Sequence, residues 1–160
     1  MAKALVSGSF DPVTLGHMDL ITRATRVFES VVVGIFVNSS KVYTFDAEER
    51  AAMIEEACAE AGLTNVKVDI CTGMVAHYVR DNGIDVIVKG IRSSADAEYE
   101  RMVDEVNKMV NPQAETLLLF SDPALGMLSS STVRELLRYG EDVSKLVPSS
   151  VLKRIKSKIQ

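Results

Sequence analysis

Val31-Val32-Val33-Gly34-Ile35-Phe36-Val37 is the stretch that decides how this chain folds. It is short, nearly continuous in apolar residues and rich in β-branched ones, which suits a strand. A strand apolar on both faces belongs in a parallel sheet covered on both sides. Four other short apolar runs repeat the pattern: Ala4-Leu5-Val6, Val66 to Ile70, Val86-Ile87-Val88 and Thr116-Leu117-Leu118-Leu119-Phe120. Helical spacing fills the gaps between them. Leu20, Ile21, Ala24, Val27 and Phe28 recur at three and four, as do Ile54, Ala57, Cys58 and Ala61, which Gly62 closes. Asp46 and Glu49 resemble a capping box at the start of that second helix. A shorter helix carries Val75, Tyr78 and Val79 and ends at Asn82-Gly83. A longer one carries Tyr99, Met102, Val103, Val106 and Val110 and ends before Pro112. Thr132 and Glu135 read as another capping box, for a helix with Leu136 and Leu137 that stops at Gly140. A last helix follows Pro148 with Val151, Leu152, Ile155 and Ile159. The alternation predicts an α/β fold: a single-domain, Rossmann-like, doubly wound five-stranded parallel sheet with helices on both faces, residues 1–160.

Composition narrows the function. The chain has 160 residues, 47% of them hydrophobic and 25% charged, with a net charge of −4. This is a globular balance and excludes a disordered chain. No run approaches the ~18 apolar residues of a membrane span, and the N-terminal Met1-Ala2-Lys3-Ala4-Leu5-Val6 stretch is too short for an export signal, so a cytoplasmic protein is expected. There is no basic excess, so neither a nucleic-acid nor a membrane surface is expected. An anionic ligand must then be held by a few local cations. The one basic cluster, Lys153-Arg154 with Lys156 and Lys158, reads as a solvated helix face. Cys58 and Cys71 form no Cys-x-x-Cys pair and read as buried, reduced thiols. With His17 and His77 as the only imidazoles, no structural metal site is expected.

In doubly wound sheets ligands bind beyond the carboxyl ends of the strands, so the segments after strands matter most. After the first run comes Ser7-Gly8-Ser9-Phe10-Asp11-Pro12-Val13-Thr14-Leu15-Gly16-His17. It is neither Gly-x-Gly-x-x-Gly nor a P-loop. It still reads as a strand, a turn and a helix start near Gly16, where free backbone N–H groups favour an anion. Thr14 and His17 are three apart and share a face, and Gly16 leaves room for a ligand.

Ser-Gly-Ser-Phe-Asp-Pro-x-Thr-x-Gly-His resembles the first signature of the nucleotidylyltransferase superfamily, in the Thr-x-x-His form of the bacterial phosphopantetheine adenylyltransferases. Asn38-Ser39-Ser40-Lys41 with Phe45 and Glu48-Glu49-Arg50 resembles that family's segment after the second strand. Lys89-Gly90-Ile91-Arg92 resembles its basic motif after the fourth, Asp96-Ala97-Glu98-Tyr99-Glu100 with Asn107 its next helix, and Ser129-Ser130-Ser131 its late serine stretch. The resemblance covers essentially the whole chain. It implies transfer of the adenylyl group of ATP to 4′-phosphopantetheine, giving dephospho-coenzyme A and pyrophosphate. It also implies Mg²⁺ bound with ATP, a homo-oligomer (a hexamer by family), and coenzyme A as a feedback inhibitor.

By the same resemblance His17, Lys41 and Arg92 are the catalytic residues. ATP is held by Ser9, Phe10, His17, Gly90, Ile91, Arg92, Glu100, the run Leu125-Gly126-Met127-Leu128, and Ser129, Ser130 and Ser131. The acceptor is held by Ser9, Lys41, Met74, Val75, Lys89 and Asn107. The chemistry asks for such residues. A phosphate monoester has a second pKa of about 6 and is already a dianion at neutral pH. No general base is needed; donors and cations must instead bring two polyanions together. A neutral His17 N–H suffices for this, and a protonated one would serve better. The chain departs from the family at Leu15, Val42, Ala97 and Leu125 to Leu128, where an Asn, a second Lys and aromatic residues are common. Activity with altered nucleotide or acceptor affinity is therefore expected. The alternatives are a nucleotidylyltransferase for nicotinamide mononucleotide or for glycerol or choline phosphate, and a non-catalytic ATP-binding module.

Overall fold

Five strands, all parallel, stand in the order β3-β2-β1-β4-β5. They are β1 (Lys3–Gly8), β2 (Ser30–Phe36), β3 (Val66–Cys71), β4 (Val86–Ile91) and β5 (Thr116–Phe120). The helices are α1 (Leu15–Val27), α2 (Ala47–Glu60), α3 (Val75–Asp81), α4 (Ser94–Val110), α5 (Ser130–Arg138) and α6 (Ser149–Ile159), with a 3-10 turn at Pro123–Leu125. This computed structural model describes residues 2–159; Met1, Gln160 and the side chain of Ile159, the last residue of the expected α6 stripe, lie outside the described residues.

Strand side chains alternate between two apolar layers, as period-two geometry requires. Ala4, Val6, Val31, Val33, Ile35, Val86 and Val88 face one layer with α1, α2, α5 and α6. Leu5, Val32 and Ile87 face the other, against Val79 of α3 with Ile84 and Ala114. The α/β, doubly wound reading thus holds. The second layer is thinner. Asn107 is the buried residue of α4, while Tyr99, Met102 and Val106 of its apolar stripe are exposed, as are Leu117, Leu118 and Phe120 of β5. The spacing marks the helix correctly, but much of its stripe is left exposed among the described residues.

Two boundaries differ from expectation. Lys89, Gly90 and Ile91 lie inside β4, because β5 keeps pairing with it as far as Ile91 opposite Phe120. The cap of α5 is Ser129, whose side chain accepts from the Thr132 N–H, so Thr132 lies within the first turn and no box starts there. Asp46 and Glu49 do form the expected reciprocal cap. Both cysteines are buried and free.

The register of β1 opens the site. It pairs with β2 as far as Gly8 opposite Ile35. Its pairing with β4 stops at Val6 opposite Val88. Beyond that point Ser7 and Gly8 part from Lys89 and Gly90. The strand order reverses there too, so the crevice lies where doubly wound sheets place ligands.

Candidate active site

Thr14 caps α1 and His17 is its third residue, and the two cap each other. The His17 N–H donates to Thr14 Oγ1 at 3.3 Å. The Thr14 backbone N–H donates to His17 Nδ1 at 3.0 Å, which leaves the ring proton on Nε2. Phe10, with φ of 50°, tucks its ring under the imidazole, edge to face at 5.0 Å. His17 is thus fixed at both ring and backbone. Burial first, then Arg92 and Lys89 nearby, lower its pKa from 6.5 to about 4. It is a neutral N–H donor at pH 7, so the protonated form considered from the sequence is not the resting state.

The crevice is an open cavity of about 220 Å³ whose lining includes Phe10, His17, Lys89, Gly90, Arg92, Glu100, Leu125, Leu128, Ser129 and Ser130. Its cations are held in place. Lys89 Nζ lies 3.4 Å from the Ser7 carbonyl, across the split between β1 and β4, and 3.6 Å from Glu100. Arg92 Nε reaches Asp96 at 3.4 Å and its Nη1 the Leu128 carbonyl at 3.2 Å. Ser130 Oγ donates to the Pro12 carbonyl at 2.8 Å, so the first turn of α5 is fastened to the loop before His17. The backbone N–H groups of that turn suit an anion.

Glycine is informative at two positions here. A Cβ on Gly16 would come no closer than 3.6 Å to Thr14 Oγ1, and one on Gly90 no closer than 3.5 Å to Leu20. The fold itself tolerates a methyl at both, so the space they leave faces the cavity.

Other expected residues lie outside this lining. Ser9 offers its carbonyl to Arg50 instead. Lys41 and Met127 are exposed, Ile91 and Asn107 are buried, and Ser131 accepts from Arg134. Gly126 follows the 3-10 turn. Met74 caps α3 and Val75 begins it, beyond β3 at the same carboxyl rim of the sheet. Among the departures, Val42 is fully exposed, whereas Leu125 and Leu128 line the crevice.

Sequence reasoning assigned no role to three residues that brace the site. Asp11, 4% exposed, accepts from Thr44 N–H at 2.8 Å and Phe45 N–H at 2.9 Å. Arg134 donates to the Asp11 carbonyl at 2.7 Å. Arg50 is buried against Ser9. Asp11 and Arg50 stood within recognised motifs, but their partners are 33 to 41 residues away and no local pattern reveals them.

A larger groove of about 680 Å³ lies between α2 and α6. Four of its charges form two pairs, Arg154 with Glu56 and Lys158 with Glu49, and Lys153 lines it as well. It shares no residue with the split between β1 and β4, where the strand order reverses, so the smaller crevice is the candidate site.

A crevice at the sheet's reversal point, with one neutral histidine donor and three braced cations, Lys89, Arg92 and Arg23, the last held by Asp19 and the Phe120 carbonyl, suits phosphoryl groups. The chain belongs to the cytidylyltransferase-like family, whose profile matches residues 5–136. A Vibrio parahaemolyticus structure named as a nicotinate-nucleotide adenylyltransferase superposes with a TM-score of 0.72, covering 96% of this chain and 91% of that one at 18% identity, a likeness of fold. A Frankia casuarinae protein named phosphopantetheine adenylyltransferase is 42% identical over 99% of both chains. One of the same name from Shouchella clausii is 41% identical over 98% of this chain and 97% of its own. Within the wider family, the chain belongs with the phosphopantetheine adenylyltransferases.

Proposed function

We propose that the chain acts as one domain that transfers the adenylyl group of ATP to 4′-phosphopantetheine. The carrying observation is the cluster of His17, Lys89 and Arg92 at the split between β1 and β4. An oxygen of the acceptor's phosphate dianion bonds to the α-phosphorus. The bond from that phosphorus to the bridging oxygen of the β-phosphate breaks, and pyrophosphate leaves. No proton need be removed from the nucleophile. His17 Nε2–H donates to the α-phosphoryl oxygen, and Lys89 and Arg92 offset charge on the flanking phosphates. Ser129 and Ser130 meet the nucleotide at the start of α5, with Gly90, Glu100, Leu125 and Leu128 around it. Lys41, Met74 and Val75, at the rim, serve the acceptor.

No group of three or more His, Cys, Asp or Glu among the described residues is placed to hold a metal. Mg²⁺, which the resemblance implies, would enter with ATP and screen its charge, with Lys89 and Arg92 beside the phosphates in the crevice. No helix among the described residues is long and apolar enough to cross a membrane. The adenylyl-transfer reading itself, with two small substrates, implies work in the cytoplasm. Coenzyme A, which shares the acceptor's arm, is the inhibitor this reading implies.

The test is pyrophosphate release from ATP with a panel of acceptors. Release should require 4′-phosphopantetheine. Release with nicotinamide mononucleotide, glycerol phosphate or choline phosphate instead reassigns the acceptor, and ATP binding without release from any of them means a binding module.

Tyr99, Met102, Val106 and Met109 of α4 are exposed, and so are Leu117, Leu118 and Phe120 of the edge strand β5. Such a face suits a second copy of the chain. A homo-oligomer, a hexamer by family, is the proposed assembly. Light scattering should give a mass several times the 17.5 kDa of one chain, and a monomeric mass refutes it.

A further inference from the structure

The loop between β2 and α2 carries Lys41 and is more shaped than its exposure suggests. The Lys41 N–H donates to the Asn38 carbonyl at 3.0 Å. Asn38 Oδ1 accepts from the Ser40 N–H at 3.0 Å and the Ser40 hydroxyl at 2.7 Å. The Asn38 N–H donates to Tyr43 Oη at 2.9 Å, which closes the loop across its base.

Tyr43 is held in turn. Its ring lies over the Arg50 guanidinium, 4.1 Å from carbon to ring centre, within cation–π range. Arg50 is 1% exposed. Its Nε donates to the Phe45 carbonyl at 3.1 Å and the Asp46 carbonyl at 3.2 Å. Its Nη1 donates to the Ser9 carbonyl at 2.7 Å. Among the described residues no carboxylate pairs with it. Burying a cation without a counter-ion is costly, and a hydrophobic residue of similar size would serve packing better. What a hydrophobic side chain could not do is join the root of the lysine loop to the turn before His17.

We propose that Tyr43 and Arg50 are positioning residues for Lys41. The phenol latches the loop at Asn38, and the guanidinium ties the loop's root to Ser9, so the lysine is presented in one geometry. This rests on the adenylyl-transfer reading, in which Lys41 meets the acceptor phosphate.

Tyr43→Phe keeps the ring on Arg50 and removes only the acceptor for Asn38. It should lower kcat by about 2- to 10-fold, the scale of one lost hydrogen bond, and leave the KM for ATP and the unfolding midpoint unchanged. In a Lys41→Ala background the same change should cost nothing further, because the latch acts through the lysine. An equal loss in both backgrounds overturns the proposal. Arg50→Lys keeps the charge but loses the forked reach, and should reproduce the kcat loss while folding. Full activity in Arg50→Lys overturns the guanidinium's role. Hydrogen exchange needs no substrate: the Asn38 amide should exchange faster in Tyr43→Phe than in the wild type, and unchanged exchange overturns the latch. A wild type that releases no pyrophosphate with 4′-phosphopantetheine defeats the adenylyl-transfer reading, and exchange still decides the latch.

Discussion

Replacing His17 by Ala lowers turnover by about 10²- to 10³-fold, the scale of one lost transition-state donor, while ATP binds nearly as well as before. The two effects separate because of the ring's charge. With a pKa near 4 the imidazole is neutral at pH 7, so its loss removes a directed N–H and no cation. Lys89 and Arg92 remain to hold the triphosphate. No other side chain takes its place, since the ring is set by the Thr14 N–H and the Phe10 ring. Single-turnover kinetics beside calorimetric ATP titration check both halves. Turnover within a few-fold of the wild type would hand the role to Lys89 or Arg92.

The pH behaviour of this residue follows with a definite sign. Its folded pKa lies below the ordinary 6.5, so as pH falls the unfolded chain takes up the proton first. The stability tied to the neutral ring is complete above about 6.5 and drains between there and about 4. In the rate profile, the acid limb of the wild type should belong to the acceptor phosphate near pH 6 rather than to the enzyme's imidazole.

Asp11→Ala is the larger structural change, with an expected loss of about 3–6 kcal/mol, since two hydrogen bonds to a charged group at about 1.5–3 kcal/mol each are lost. One carboxylate accepts the Thr44 and Phe45 N–H groups, one on each oxygen. Phe45 is 2% exposed, so its amide has little access to water in exchange. Asp11→Asn keeps one acceptor oxygen but turns an NH2 donor toward the other N–H, so it should lose at least half as much. Urea unfolding of the three proteins checks the order. A loss below about 1 kcal/mol for the alanine variant means that water reaches the freed amides, a replacement that restores most of a hydrogen bond.

The fold was readable because its period-two strands and three-four helices are written into local runs. Val31 to Ile35 sends alternate side chains to opposite layers, and the run's composition shows this directly. The sequence leaves the cap on α5 open between the serine stretch and Thr132, both good capping residues; the Ser129 side chain accepting from the Thr132 N–H decides between them. Of the site, the resemblance named residues that the structure places around one crevice, His17, Lys89, Arg92 and Ser130 among them. Nothing local could show the brace beneath it. Arg50 reaches back 41 residues to Ser9, and Arg134 reaches back 123 residues to Asp11. Charge on a helix normally reads as solvated, and Arg50 is the exception because backbone carbonyls, not water, receive it. The apolar stripe of α4 was legible as helix, but its outward orientation was not, since spacing defines a face and not its direction.

Gly16 and Gly90 leave the crevice walls one methyl thin where the rest of the molecule does not require it. Occupancy there is therefore decoupled from folding. Mutation at either position can retune how tightly a guest is gripped, or shut it out, in a chain that still reaches its native shape. Descendants of this sequence have two places at which to change guests without first solving the folding problem again.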